Sequence, residues 1–224
     1  MMTTTLVEES PTGKLTFEFS DKWQVYKYDE GNPDNFYYKI RGLGLKAVDF
    51  IAISDKSILL VEVKYIAASN ESCRMRLTPS LSEKEQSFLK DVKDKLTDEV
   101  AEAVKVSLKR PYLAEEVSKK AKDTLIGLLA SHRCADENLQ PYSQSLFIGN
   151  KPILLVLFLE RKEGLNQPNE FKPLANNLKL AIEQKTGFLG NIQVDVMNTL
   201  TVPSALGVNV IRGAAQESKF SGFI

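Results

Sequence analysis

The run Ile153-Leu-Leu-Val-Leu-Phe-Leu-Glu160 constrains the fold more than any other part of the sequence, because no other run is as apolar. Its length is that of a β-strand and falls well short of a membrane-spanning helix. A strand without polar alternation is buried on both faces, which is the situation of a central strand between two layers. The sequence therefore predicts a sheet that lies between helices.

Other segments extend this predicted sheet. Ile192-Gln-Val-Asp-Val196 alternates apolar and polar residues, and residues 171–185 carry the apolar spacing of a helix. A strand, a helix and a strand in series imply a crossover connection, so we expect an α/β fold with a mixed central β-sheet flanked by helices on both sides. Residues 15–19 and 23–28 also alternate in the β manner, which predicts an early hairpin.

Length and composition predict a single domain. The chain has 224 residues, of which 43% are hydrophobic and 26% are charged, as in an ordinary globular protein. We place this domain at residues 1–204, with a helical insertion at about 82–131 that opens with a capping box from Ser82 to Glu85. Residues 205–224 then form a tail rich in Gly and Ser.

Three charged residues stand inside two neighbouring apolar segments, Lys46-Ala-Val-Asp49-Phe-Ile-Ala-Ile and Ile58-Leu-Leu-Val-Glu62-Val-Lys64. Residues 54–57 between them have turn chemistry, so the segments predict a β-hairpin. Side chains alternate along a strand, which places Glu62 and Lys64 on one face with Asp49 opposite the neighbourhood of Glu62. Two carboxylates there suit a hard divalent cation, and an ammonium group suits negative charge at a phosphorus centre. The alternatives are a buried ion pair and an edge hairpin whose charges face water.

This arrangement resembles the PD-(D/E)XK nuclease superfamily, whose signature is an acid at the end of one strand and a (D/E)-x-K sequence on the next. The matching residues are Asp49 and Glu62-Val63-Lys64, and Val48 stands where the name of the superfamily calls for proline. The resemblance implies a restriction-endonuclease-like core. It also implies that Asp49, Glu62 and the backbone carbonyl of Val63 bind Mg²⁺ or Mn²⁺, while Lys64 assists the attacking water.

Outside the hairpin, the resemblance implies a further acid ahead of the strands and a basic helix residue behind them. Asp29 and Glu30 are the candidates for the acid, and simple turn residues are the alternative, because this stretch is rich in Asn, Asp, Gly and Pro. On the helix predicted from 112 to about 131, Lys120 lies at the border of the apolar side. There it either reaches the catalytic face or only extends to water. Together with the hairpin, residues 119–125 are similar to bacterial members of the superfamily.

DNA is the expected partner. Lys46 at the rim of its strand, and Arg74 and Arg76 in a loop that leaves the site, are the candidate nucleic-acid contacts. The formal net charge is zero, so any basic surface has to be local. The leading hypothesis is a Mg²⁺-dependent phosphodiesterase that cleaves DNA. The alternative is a non-enzymatic, nuclease-like module that binds nucleic acid or protein.

The remaining features exclude several classes of protein. No run is long and apolar enough for a membrane span, and the first residues lack the pattern of a secretory signal, so we expect a cytoplasmic protein without a membrane partner. Cys73 and Cys134 form no thiolate zinc pattern, and the single His132 cannot build a histidine metal site. The helices between 82 and 131 could form either a subunit interface or a substrate-binding subdomain, and a homodimer or a protein partner is possible.

Overall fold

The computed structural model describes residues 3–10, 13–66, 71–81, 83–104 and 111–213. The strands within these residues are β1 (Thr4–Ser10), β2 (Gly13–Phe19), β3 (Gln24–Lys27), β4 (Phe50–Ile53), β5 (Ile58–Ile66), β6 (Ile153–Arg161), β7 (Ile192–Met197) and β8 (Val208–Gly213). The helices are α1 (Phe36–Ile40), α2 (Glu71–Leu77), α3 (Glu83–Lys93), α4 (Asp98–Ala103), α5 (Leu113–Arg133), α6 (Gln140–Phe147) and α7 (Pro168–Thr186). Short 3₁₀ turns lie at Arg41–Leu43, Glu163–Asn166, Gly187–Leu189 and Ser204–Leu206.

A five-stranded sheet of order β3-β4-β5-β6-β7 forms the centre of the fold. The strands β3, β4 and β5 are antiparallel neighbours, whereas β5, β6 and β7 are parallel. The apolar strand β6 is paired on both edges and is buried along almost its whole length. The mixed sheet with its flanking helices confirms the predicted α/β fold class.

One face of this sheet is covered by helices. The apolar sides of α5 and α7 pack on alternate residues of the central strands and form one continuous core. The core side chains from these two helices include Leu113, Val117, Ala121, Leu128, Phe171, Leu178 and Ile182. The helix α5 is therefore integral to the domain, and its inclusion in a helical insertion at 82–131 was wrong. No helix among the described residues combines the length and the apolar character needed to cross a bilayer.

The other face of the central sheet is covered by a second sheet of order β1-β2-β8. The prediction of helices on both sides was wrong at this face, and so was an early hairpin between β2 and β3, which lie in different sheets. A strand covers this face because the residues of β2 alternate. Leu15, Phe17 and Phe19 are buried, whereas the residues between them are partly exposed. Phe17 packs edge-on against Phe50 and Phe158 of the central sheet, so β2 serves as an outer layer with one apolar face.

The structure differs from the predicted domain boundary at the C-terminal side. The strand β8 pairs with β2 over Val208–Gly213, so the folded domain extends beyond the boundary predicted at 204. Residues 214–224, the remainder of the predicted tail, lie outside the described residues. Ser82 of the predicted capping box also lies outside them, although α3 begins at the next residue, Glu83.

Candidate functional site

The hairpin of β4 and β5 brings the two predicted carboxylates together. Phe50 pairs with Val61, and the amide of the preceding Asp49 donates to the carbonyl oxygen of Val61 at 3.0 Å. The side chain of Glu62 is completely buried, and it points to the helical face of the sheet because Val61 belongs to the opposite face. Asp49 itself is only 5% exposed. The predicted hairpin and the shared neighbourhood of Asp49 and Glu62 are thus both present.

The carboxylate of Asp49 is held by the backbone of the neighbouring strand. The amide of Val63 donates to Asp49 Oδ2 at 2.5 Å, just beyond the last residue pair of the β4–β5 ladder. In a strand, the N–H and C=O groups of one residue point to the same edge, so the Val63 carbonyl faces the same edge as Asp49. This is the carbonyl for which the resemblance to the nuclease superfamily implied a role as a metal ligand.

The helix α5 fixes the approach to Asp49 through two side-chain contacts. Asp123 Oδ2 accepts the amide hydrogen of Lys46 at 2.9 Å, and Thr124 Oγ1 accepts that of Val48 at 3.0 Å. The two helix residues are adjacent to each other, and each lies 76 or 77 positions along the chain from the amide that it binds. The helix α5 therefore positions residues 46–48, which lie just before β4 in the chain.

Lys120 of α5 reaches into the same place. Its Nζ atom lies 2.7 Å from Glu62 Oε1, 2.9 Å from Glu62 Oε2 and 3.6 Å from Asp49 Oδ1. Although burial lowers the pKa of Lys120, the carboxylates of Glu62 and Asp49 raise it above its usual value, so the side chain stays protonated. Of the two positions predicted for the Lys120 side chain, the structure has the one in which it reaches the carboxylates of Asp49 and Glu62.

Lys64 lies between two carboxylates. Its Nζ atom is 2.6 Å from Glu62 Oε1 and 2.9 Å from Glu116 Oε1, and Glu116 Oε2 in turn is 2.5 Å from the Arg76 guanidinium. Burial lowers the pKa of Lys64, but Glu62 and Glu116 raise it to a net value above normal. Glu116 has a lowered pKa, because Lys64 and Arg76 outweigh the effect of its burial. Acids and bases therefore alternate along a chain of contacts from Arg76 to Asp49.

A third acid, Asp29, also lies at this site. Burial, the charge of Asp49 and a hydrogen bond with Asp49 together raise the pKa of Asp29 to about 8, which favours its protonated form at neutral pH. Glu30, the other predicted candidate, is exposed. The structure thus brings Asp29, and not Glu30, to the predicted site. Burial and the charge of Asp49 likewise raise the pKa of Glu8, a residue of β1 that pairs with Lys27.

Glu62 is the most buried of these acids. Burial raises its pKa to about 7, and the charge of Asp49 acts in the same direction against the opposing effect of Lys120 and Lys64. Its Oε1 atom is buried and receives no hydrogen bond of good geometry, even though both lysine nitrogens are close to it. The charge of this oxygen is therefore compensated by two ammonium groups at ion-pair distance.

The three residues predicted to contact nucleic acid, Lys46, Arg74 and Arg76, differ in exposure and in their partners. Lys46 has an exposed side chain near the site. Arg74 and Arg76 belong to α2, where a loop was predicted, and both are engaged with acids: Arg74 with Glu85 and Arg76 with Glu116, each at 2.5 Å. The role of Lys46 in contacting nucleic acid stays a prediction, whereas the two arginines serve as ion-pair partners in the structure.

Glu116 was not predicted as a site residue. Its position in the sequence could have indicated it, because Glu116 stands one helical turn before Lys120 and therefore lies on the same side of α5. Among the described residues, no three His, Cys, Asp or Glu side chains are close enough to hold a metal ion as a group. The lysines explain this spacing, since the ammonium group of Lys120 contacts the carboxylates of both Asp49 and Glu62.

Comparison with known proteins leaves this geometry as the basis for assigning a function. No protein-family model, no curated protein and no solved structure matches the chain. What the site can do therefore follows from its own atoms. It has two buried carboxylates from adjacent strands, a third carboxyl group beside them, and two lysines that contact the more buried carboxylate.

Proposed function

We propose that the chain is a metal-dependent nuclease that hydrolyses phosphodiester bonds of DNA. The observation that carries this proposal is the convergence of Asp49 and Glu62, from neighbouring strands, on Lys120 with Lys64 alongside. Buried carboxylates are costly unless they are paired or bind metal, and here the lysines compensate acids that also lie close enough for the charge of Asp49 to raise the pKa of Asp29 and of Glu62. A group of acids at one place is a common arrangement of catalytic sites, in which cations gather around a reacting phosphate.

The donor groups fit Mg²⁺ or Mn²⁺. Asp49, Glu62 and the Val63 carbonyl, together with Asp29, offer only oxygen atoms, which are the ligands these ions prefer. Glu62 Oε1 is already close to the ammonium groups of Lys64 and Lys120, at 2.6 and 2.7 Å, so an ion bound there would share this oxygen with them. An ion bound there would stabilise negative charge on a phosphoryl oxygen and make water a stronger nucleophile at neutral pH.

The two lysines have an electrostatic role in this proposal. Because the pKa values of Lys64 and Lys120 are both raised, each side chain is an ammonium group at neutral pH and cannot accept a proton from water. Lys64 instead donates hydrogen bonds, which hold the attacking water and offset charge as it builds on the phosphate. Its side chain is 19% exposed, so it joins the buried Glu62 to the solvent side of the site.

Cleavage assays test this proposal directly. Supercoiled, linear and single-stranded DNA are incubated with Mg²⁺ or Mn²⁺, with EDTA as the metal-free control. We expect cleavage that needs the metal ion and that falls by at least about 100-fold in Lys64→Ala and in Asp49→Asn. The matched control is Lys119→Ala, because Lys119 is the neighbour of Lys120 on α5 but pairs with Asp123 and is largely exposed.

A second measurement separates the nuclease from a binding module. Calorimetry with Mg²⁺ or Mn²⁺ reports metal binding without any substrate, and Glu62→Gln is expected to weaken it. Absence of both cleavage and metal binding would contradict the proposal. The non-enzymatic module that binds nucleic acid or protein would then be favoured, since Lys120 and Lys64 already compensate Glu62 by themselves.

A further inference from the structure

The helix α5 presents apolar side chains on its outer side as well as to the core. Ile126 is 51% exposed and Leu129 is 46% exposed, whereas Leu128 between them is fully buried. Phe147 at the end of α6 and Phe188 in the turn before β7 are exposed next to them. Together they line a groove with a volume of about 470 Å³, which we call the apolar groove. Large apolar side chains clustered at a surface are characteristic of a contact with another protein.

The apolar groove carries positive charge at its edges, which favours an acidic binding partner. Its charged lining residues, within the described part of the chain, are Lys122 and Lys151, and no Asp or Glu lines it. The groove also contains Ile153, the first residue of β6, which pairs with Ile58 at the start of β5. It therefore lies toward the opposite end of β5 from Lys64. Its occupant needs an apolar side with acidic residues beside it.

The same chain contains a segment of this kind. The helices α3 and α4, which we call the α3–α4 arm, bury none of their own side chains. Val100 of α4 is 50% exposed, and Phe88 of α3 is 70% exposed. The six residues of α4 include Asp98, Glu99 and Glu102 and no basic residue. Short helices gain most of their stability from packing, and within the described residues these two helices leave Phe88 and Val100 largely open to solvent.

We propose that the α3–α4 arm of one copy docks into the apolar groove of a second copy. Val100 supplies the apolar contact, and the acidic residues of α4 lie against Lys122 and Lys151 at the edges of the groove. Since every copy has one arm and one groove, two copies that exchange arms reciprocally form a closed twofold dimer, which is the assembly we propose. The proposal goes beyond the nuclease function and does not depend on it, since none of these residues belongs to the candidate site.

Sedimentation equilibrium of the full chain over a range of concentrations tests the dimer. We expect Leu129→Glu in the groove and Val100→Lys in the arm each to weaken dimerisation by at least about tenfold, because each places a charge in the contact. The matched control is Leu180→Glu, which changes a 57% exposed leucine of α7 outside the groove and leaves dimerisation intact. Circular dichroism confirms that each variant is folded.

A mixing experiment tests the reciprocal exchange. The Leu129→Glu copy retains an intact arm and the Val100→Lys copy retains an intact groove, so a mixture is expected to form heterodimers that neither variant forms alone. A wild-type chain that is monomeric at all concentrations overturns the proposal. A dimer that Leu129→Glu disrupts but Val100→Lys does not overturns the assignment of the arm, because the groove would then meet another surface.

Discussion

Lys120 Nζ lies 2.7 Å from Glu62 Oε1, although the two residues are 58 positions apart in the chain. Glu62 is fully buried, so its charge depends on the lysines for compensation. Lys120→Met is expected to lower the free energy of unfolding by about 2 kcal/mol in metal-free buffer, because it leaves a buried carboxylate with fewer opposite charges. Urea unfolding measures this change.

The matched control for that prediction is Lys119→Met, which removes a lysine whose side chain is 56% exposed. An exposed pair contributes less than about 1 kcal/mol, so this variant should unfold nearly as the wild type does. Adding Glu62→Gln to Lys120→Met should recover part of the loss, since the carboxylate is then gone. Equal effects of the Lys119 and Lys120 substitutions would refute the importance of the buried contact.

Glu116→Gln is expected to slow DNA cleavage by about tenfold with little change in KM, because Lys64 loses one of the two carboxylates that orient it. Steady-state kinetics on a DNA substrate measure both quantities. Glu115→Gln is the control, since Glu115 is an exposed neighbour that pairs only distantly with Lys185. A rise in KM without a fall in kcat would instead assign Glu116 a role in substrate binding.

Mg²⁺ is expected to raise the thermal unfolding temperature, because an ion that binds only the folded chain stabilises it by an amount that grows with the logarithm of the ion concentration above Kd. Asp49→Asn should remove most of this increase. Asp55→Asn is a suitable control, as Asp55 is exposed in the turn of the same β4–β5 hairpin. Thermal unfolding followed by circular dichroism gives both values, and an increase that persists in Asp49→Asn would place the metal elsewhere.

Glu160 should make the stability depend on pH. Burial raises its pKa above 4.5, despite hydrogen bonds from Thr199 and Asn166 and the nearby charge of Arg212. The folded chain therefore binds this proton more tightly than the unfolded chain does. Its contribution to stability is full below about pH 4.5 and is lost as the pH rises through the folded-state pKa.

We expect Glu160→Gln to flatten that decrease in the free energy of unfolding, measured by urea unfolding at several pH values. Glu163→Gln should keep the wild-type slope, because Glu163 is exposed two residues beyond the strand. A steeper decrease in Glu160→Gln than in the wild type would mean that Glu160 is stabilised as a carboxylate, which reverses the predicted sign.

Gly127→Ala is expected to destabilise the fold by about 2 kcal/mol, because a Cβ atom there would collide with the hydroxyl of Tyr28 beneath α5. That hydroxyl is buried without a hydrogen-bond partner, so Tyr28→Phe should restore much of the loss in the double variant. Gly164→Ala is the control, since its Cβ would meet no atom. Unfolding of the three variants in urea tests the collision.

Local periodicity explains which features the sequence predicted well. The apolar run of β6, the β4–β5 hairpin and the shared face of Glu62 and Lys64 all follow from patterns within a few residues. Lys120 could be placed because helical spacing sets its side of α5. These features need only short-range geometry, so one sequence is sufficient to predict them.

The second sheet could not be predicted in the same way. Its strand β2 pairs with β8, and Glu18 accepts a hydrogen bond from Asn209 at a separation of 191 residues. No local pattern states which distant strand an alternating segment will join, so β3 was the expected partner. The engagement of Arg76 by Glu116, 40 residues away, was hidden for the same reason.

The contacts of Asp123 and Thr124 with the amides of Lys46 and Val48 tie the segment before β4 to the helix that also carries Lys120 and Glu116. The β4–β5 hairpin holds Asp49, Glu62 and Lys64 by itself, and docking of α5 adds Lys120 and Glu116 to them together. A molecule in which α5 has come away from the sheet therefore lacks both of these partners at once, so the complete cluster exists only where α5 is docked.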